Sequence, residues 1–231
     1  MCSSDLTIID VLFCFMINNI DTSDHNHIVM IIGLAGKRMV GKSTAAAHLE
    51  KHGFKKLSFA SPLKAAVSNI FGWTDECYNP SKKEQKTNWG ITPREAMQII
   101  GTDVFREQLP KLFPSIKMSR SSIWIERMVR EIEKTEGKLI VIDDVRFDDE
   151  CKLIKDLGGI IIQLEEPTSV KTSVKTSVSP TKAIDQHSSE VGISAYDHLI
   201  INDWDHNPRH LFTSLDRIVA DYQRGPPFNL L

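Results

Sequence analysis

Gly36, Gly41, Lys42 and Ser43 stand at the spacing G-x-x-x-x-G-K-[ST], without a mismatch, inside the stretch Ile31-Ile32-Gly33-Leu34-Ala35-Gly36-Lys37-Arg38-Met39-Val40-Gly41-Lys42-Ser43-Thr44. That pattern binds phosphate. Its glycines allow backbone angles that point successive N–H groups inward at phosphate oxygens. A helix starting at Lys42 adds the positive end of its dipole. Lys42 is placed to reach the β- and γ-phosphates of a nucleoside triphosphate, and the Ser43 hydroxyl to hold a magnesium ion. Gly36, Lys37, Arg38, Gly41, Lys42, Ser43 and Thr44 are therefore the expected lining for ATP. A second cluster of chemistry follows in Lys138-Leu139-Ile140-Val141-Ile142-Asp143-Asp144, an apolar run that ends in two carboxylates. An acid at the end of such a strand orients magnesium in phosphate-loop proteins. Asp143 and Asp144 compete for that role, and strict alternation sends them to opposite faces of the strand.

The elements that must hold these residues alternate along the chain. The apolar run Ile28 to Ile32 reads as a buried strand, and a helix from about Lys42 to His52 stops at Gly53. Lys56–Ala60 reads as a short alternating strand. Ser61-Pro62 starts a helix that ends at Gly72, and Trp73 to Trp89 is a polar, lysine-rich loop with room for a short helix. Thr92-Pro93-Arg94-Glu95 combines a threonine cap, a first-position proline and an early acid, so a helix runs from there towards Gly101-Thr102. Residues 121–136 carry Trp124, Ile125, Met128, Val129 and Ile132 on one helical face. After the acidic strand come a helix over Asp148–Leu157, a turn at Gly158-Gly159, and a strand over Ile160–Leu164. A last strand, Asp197–Asn202, and a closing helix, about Pro208 to Tyr222, complete the pattern. The runs of Ile and Val without polar alternation are those of strands buried on both faces. Strand and helix in turn give an α/β fold, a doubly wound parallel sheet, whose ligands gather at the carboxyl ends of the strands.

The bulk composition bounds the rest. The chain has 231 residues, 41% hydrophobic and 25% charged, with a formal net charge of −2. That balance offers no general attraction to a nucleic-acid polymer or an anionic membrane. Cys2, Cys14, Cys77 and Cys151 are scattered without C-x-x-C spacing, which fits reduced thiols in a cytoplasmic compartment rather than a zinc site or disulfide framework. The apolar part of residues 1–27 is broken by Asp10 and too short to span a bilayer. With no basic flank it is also a poor signal peptide, so residues 1–27 are expected to be a dispensable extension. The expected phosphate-loop domain covers 28–224, with a lid or low-complexity segment at 166–190 where Ser-Val-Lys-Thr nearly repeats. A tail follows at 225–231.

These motifs in this order resemble the deoxynucleoside monophosphate kinases of tailed phages and large DNA viruses, over roughly Met30 to Tyr222. The likeness rests on Gly33-Leu34-Ala35-Gly36-Lys37-Arg38 running into Gly41-Lys42-Ser43, and on Ser58-Phe59-Ala60-Ser61-Pro62-Leu63-Lys64. It continues in Thr92-Pro93-Arg94 with Gln98, Gly101-Thr102 and Arg106, and in Asp144-Val145-Arg146-Phe147 with Glu150. Gly158-Gly159, His187-Ser188-Ser189-Glu190 and Asn202 complete it. The resemblance implies a doubly wound P-loop kinase fold with a mobile lid. It further implies transfer of the γ-phosphoryl group of ATP, with Mg2+, to a deoxynucleoside 5′-monophosphate. Among the two acids, the family pattern points to Asp144 as the metal partner beside Ser43.

The roles then follow from charge, since two facing polyanions need cation density rather than a protein nucleophile. Lys64, Arg94 and Arg106 are candidates to clamp the acceptor phosphate. Arg146 is the candidate to act between donor and acceptor, because its planar fork makes two bonds to one phosphate. Phe59 and Trp124 are candidates to stack on the acceptor base, with core packing as the alternative. Gln98, His187 and Glu190 are expected near the substrate. Asn202 is expected at the adenine, with a plain turn as the alternative. Lys64, Arg94 and Arg106 have the alternative of solvated helix faces. The chain departs from the family at Glu165-Glu166-Pro167, where relatives carry an arginine, and at Ser61, where an acid usually precedes the proline. Rival readings are a kinase of the dephospho-coenzyme A or phosphomevalonate type and a P-loop regulatory ATPase. Relatives of this kind can be homodimers, and if the protein is viral its place is the host cytoplasm.

Overall fold

The computed structural model describes residues 30–116, 122–135, 139–167, 192–203 and 208–223. The extension 1–27, the Ser-Val-Lys-Thr tract, His187, Glu190 and the tail at 225–231 lie outside the described residues. The contacts sort into two compact units. The first holds the described residues up to Leu57, those of 135–167 and those from Gly192 onward; the second holds Ser58–Lys134.

The first unit is the sheet. Its strands are β1 (Met30–Gly36), β2 (Lys55–Leu57), β3 (Leu139–Val145), β4 (Ile160–Glu165) and β5 (His198–Ile201), in the order β2-β3-β1-β4-β5. Every pairing is parallel. β1 is central, and all of Met30–Ala35 except Gly33 is buried apolar side chain with no exposed surface. A strand flanked on both faces by packed side chains must read as a continuous apolar run, which is why the sequence shows no alternation there.

Helices α1 (Lys42–Lys51) and α7 (Arg209–Gln223) cover one face. Ala45, Ala46 and Leu49 of α1 and Leu211 and Leu215 of α7 pack with Met30, Ile32, Leu34, Val141, Ile162 and Leu164. Gly33 points the other way. A Cβ placed on it meets Ile154 of α6 (Asp148–Asp156) and Ile161 of β4, both at 2.7 Å, so the second face is packed so tightly that glycine is required.

The second unit is helical. It contains α2 (Ser61–Phe71), a short 3₁₀ turn at Asp75–Tyr78, α3 (Pro93–Gln98), a wide π-helical stretch Ile99–Gln108, α4 (Leu109–Leu112) and α5 (Ile123–Lys134). Leu63, Val67, Trp73 and Ala96 form its core, with Trp124, Tyr78 and Ile100 packed against them. α2 ends at Gly72 in the left-handed conformation, φ +67, as its stop signal requires. Thr92 caps α3 reciprocally with Glu95: Thr92 Oγ1 accepts from Glu95 N at 3.0 Å, and Glu95 Oε2 accepts from Thr92 N at 3.4 Å.

Three expectations are corrected. The strand read at Lys56–Ala60 is Lys55–Leu57, because Ala60 already has helical angles as the residue preceding α2. The helix from Thr92 does not end near Gly101-Thr102 but continues to Leu112 through the π-helical stretch. A Cβ on Gly101 would meet Leu63 Cδ2 at 2.4 Å, so this glycine serves close helix approach rather than termination. The third concerns the acidic pair on β3, described next.

Candidate active site

Strand β1 delivers the chain into the phosphate loop, and each break from regular geometry falls on a residue that tolerates it. Gly36 has φ +133 and Gly41 φ +103. At Gly36 a side chain is also excluded by space, since a Cβ would lie 2.3 Å from the Leu164 carbonyl oxygen. Met39 is the one described non-glycine residue with positive φ, at +64. α1 starts at Lys42, directly after Gly41. The Lys42 ammonium folds back and donates to the carbonyls of Gly36 and Lys37, both at 2.6 Å. It is thereby held inside the loop's curve. Lys37, Arg38 and Ser43 are exposed around it, and Thr44 is half-buried in the first turn of α1.

Asn202 supports the loop from below. It is 2% exposed, its amide donates to the Val40 carbonyl at 3.0 Å, and its own N–H bonds to Glu165 at 2.7 Å. This is a different task from the adenine contact expected of it. The buried amide fixes the phosphate loop to the end of β5.

The two acids of β3 stand beside β1, and the register between the strands slips there. Gly33 pairs with Ile142 but Ala35 pairs with Val145, so Asp143 and Asp144 together oppose the single residue Leu34. An extra residue of this kind bends the strand and re-aims its side chains. Strict alternation, the basis for sending the two acids to opposite faces, does not hold here. Both are half-buried. Asp143 has a side chain 15% exposed and lies 3.8 Å from Lys56 Nζ. Burial, then the charge of Asp144, raises its pKa to about 6, although Lys56 and Lys42 pull in the opposite direction. The influence of Lys42 places Asp143 within electrostatic reach of the phosphate-loop lysine. Lys56 is a partner the sequence did not single out; only the β2–β3 pairing, with Lys56 beside Val141, reveals it.

Arg146 follows β3 and is exposed. The buried Glu150 carboxylate accepts from the backbone N–H groups of Arg146 at 2.8 Å and Phe147 at 3.2 Å. That carboxylate closes the turn entering α6 and so fixes the backbone that carries Arg146.

In the second unit Lys64 pairs with Asp75 at 2.7 Å and lies over the Tyr78 ring at 4.9 Å. Arg94, with a side chain 11% exposed, lies 3.4 Å from Glu84. Gln98 is four residues further along the chain, so the two share a face of α3. The Gln98 Nε2 atom is buried and has no hydrogen-bond partner among the described residues. Arg106 is half-buried in the π-helical stretch. Phe59 is buried. Trp124 donates Nε1 to the Gly101 carbonyl at 2.9 Å and packs on Phe105, a core arrangement that leaves its indole N–H satisfied.

The phosphate loop and the carboxylate pair of the sheet unit are the parts expected of a phosphoryl-transfer protein, and comparison with known proteins says which kind. A family model described as deoxynucleotide monophosphate kinase matches residues 73–207. A protein of Acanthamoeba polyphaga mimivirus assigned as a deoxynucleotide monophosphate kinase is 33% identical over 183 residues, 75% of this chain and 89% of its own length. The deoxynucleoside-5′-monophosphate kinase of Escherichia phage T5 is 26% identical over 122 residues, 50% of this chain and 41% of the phage protein. Among solved structures, TT1252 of Thermus thermophilus aligns at 14% identity with a TM-score of 0.46, covering 85% of this chain and 98% of its own. The family match takes in more than half of the chain, and the mimivirus likeness takes in three quarters: this chain belongs to the deoxynucleotide monophosphate kinase family.

Proposed function

We propose that the protein transfers the γ-phosphoryl group of ATP to deoxynucleoside 5′-monophosphates, with magnesium, and so supplies DNA precursors in the cytoplasm, the host's if the gene is viral. Family membership makes the acceptor a deoxynucleotide and the enzyme a phosphotransferase. The single observation that carries the donor assignment is the phosphate loop, with Lys42 held on the Gly36 and Lys37 carbonyls at the start of α1. The donor phosphates replace those two carbonyls as partners of Lys42, while loop N–H groups and the exposed Lys37 and Arg38 add positive potential.

The residues present fit a magnesium ion: a hydroxyl at the first turn of α1 and a carboxylate pair at the end of β3 form the hard oxygen set it prefers. Ser43 and Asp144 would hold it, with Asp143 the neighbouring acid. Bound there, it would supply charge neutralisation to the donor phosphates.

The acceptor phosphate is already ionised, so no strong general base is required. Lys64, Arg94 and Arg106 neutralise it. The buried Gln98 amide nitrogen, without a partner among the described residues, is the kind of donor that a phosphate or base carbonyl satisfies, and Gln98 shares the α3 face with Arg94. Phe59 and Trp124 serve the base as apolar walls held by their own packing. His187 and Glu190 belong to the substrate side on family resemblance. Arg146, on a turn fixed by Glu150, stabilises the charge of the phosphoryl group in flight.

A coupled ADP-release assay tests the reading, run with each deoxynucleoside monophosphate, the ribonucleotides, dephospho-coenzyme A and phosphomevalonate as acceptors. Turnover of at least one deoxynucleotide is expected; turnover of none of them overturns the proposal. Arg146→Ala should leave ATP affinity within about twofold and lower the transfer rate about a hundredfold. A matching loss of ATP affinity would place Arg146 on the donor instead.

A further inference from the structure

The phosphate-loop helix has chemistry at its other end. α1 carries His48 in its last turn and His52 at its carboxyl-terminal cap, four residues apart and so on one face. α7 brings Asp216 to the same place. Asp216 Oδ1 lies 2.7 Å from His48 Nε2 and 3.7 Å from His52 Nε2, and one ligand atom from each residue falls within 4.8 Å of the others. The two imidazole rings stand 4.7 Å apart, edge to face.

We propose that His48, His52 and Asp216 bind a divalent transition-metal ion of the zinc type, which ties the far end of the phosphate-loop helix to α7. Three features of the surroundings support a site rather than an incidental ion pair. The His48 ring is stacked on Phe212 at 4.2 Å and 5°, so one ligand is already fixed in orientation by packing. The side chains of His52 and Asp216 are 53% and 51% exposed, which leaves an entry path and room for water in the remaining coordination positions. The carbonyls at the end of α1 carry the negative end of the helix dipole, which favours a cation there.

Metal–ligand bonds of about 2.0–2.2 Å in tetrahedral arrangement set ligand atoms about 3.3 Å apart. The observed 2.7 and 3.7 Å separations bracket that spacing. Two imidazoles with one carboxylate suit zinc, cobalt or nickel, whereas magnesium prefers oxygen alone. His48 and His52 come six and ten residues after Lys42, about 9 and 15 Å along the helix axis, so this ion is separate from the catalytic one. Three protein ligands, partly exposed, make an exchangeable site rather than a permanent structural one.

The test uses full-length protein freed of metal, in excess magnesium so that the phosphate loop cannot report. Cobalt(II) is titrated while its visible absorption is followed, then displaced with zinc. Wild type should take up one equivalent with an intense visible band that zinc abolishes. His52→Gln and Asp216→Asn, both at exposed positions, should weaken that binding at least tenfold and lose the band. Their circular dichroism and ADP-release rate should be unchanged. Zinc should raise the unfolding temperature of wild type and of neither variant. The difference between wild type and variants removes any contribution from other histidines and the cysteines. The same cobalt stoichiometry and band in both variants, or no visible band in wild type, overturns the proposal; in that case the three residues only pack α1 against α7.

Discussion

Lys42 is fixed at both ends, by its place in the first turn of α1 and by two loop carbonyls that hold its ammonium at 2.6 Å. A cation so preorganised is worth most when charge moves across the donor phosphates. Lys42→Ala should lower turnover by at least about a hundredfold, about 2.7 kcal/mol in the barrier, with folding intact by circular dichroism. Near-normal turnover in that variant would remove the lysine from the chemistry. Asp143 permits a pH prediction. Its folded pKa of about 6 is raised from 3.8, so between about pH 4 and 6 the folded state holds a proton that the unfolded state has released. The contribution of Asp143 to the stability of the magnesium-free protein therefore falls as pH rises through that window and is level above it. Asp143→Asn should flatten this dependence and stabilise the metal-free protein above pH 6, by up to about 3 kcal/mol. Urea unfolding at pH 4.5 and pH 7.5 in a chelator checks it; an equally steep fall in the variant would assign the dependence to another group.

At the scale of the element, glycine placement decides whether the phosphate loop forms. Gly36 combines φ +133 with a Leu164 carbonyl 2.3 Å from where a Cβ would stand. The atom in the way is backbone, and the buried Val40 side chain stands 3.0 Å away as well, so no flexible side-chain end can yield. Gly36→Ala should destabilise the protein by about 2 kcal/mol or more and abolish nucleotide binding, read by thermal melts with and without ATP. Wild-type melting in that variant would mean the loop takes another path. The cap of α3 gives a milder case. Thr92→Ala removes one side of a reciprocal pair and should lower stability by about 1 kcal/mol. The acceptor constant should rise with little change in the ATP constant, since Arg94 and Gln98 ride on that helix. Equal changes in both constants would count against an acceptor role for α3.

The whole molecule is a parallel sheet unit and a helical unit, each with its own core. Among the described residues no helix is long and apolar enough to cross a membrane. The central strand starts at Met30, which motivates an expectation for residues 1–27. Their removal should leave the unfolding temperature within about 3 °C and ATP binding intact, a difference of no more than about 1 kcal/mol. Loss of folded protein would make them part of the structure.

How far the chain could be read without coordinates differed by level. The phosphate loop, the parallel strands, the stops at Gly53 and Gly72 and the Thr92 cap are local: spacing and backbone preference within a few residues decide them. Helix continuation past Gly101 was not local, because Leu63 on α2 is what that glycine accommodates. Nor was the aim of Asp143 and Asp144, since an apolar run ending in two acids looks the same with or without a one-residue slip against its neighbour. Asn202 and Lys56 took their partners, Val40 and Asp143, from remote parts of the chain. By itself the sequence determined which groups could bind phosphate and which elements would carry them. Only the tertiary structure decided which side chains are free for ligand and which hold the frame, because that depends on neighbours supplied by strand order and helix packing.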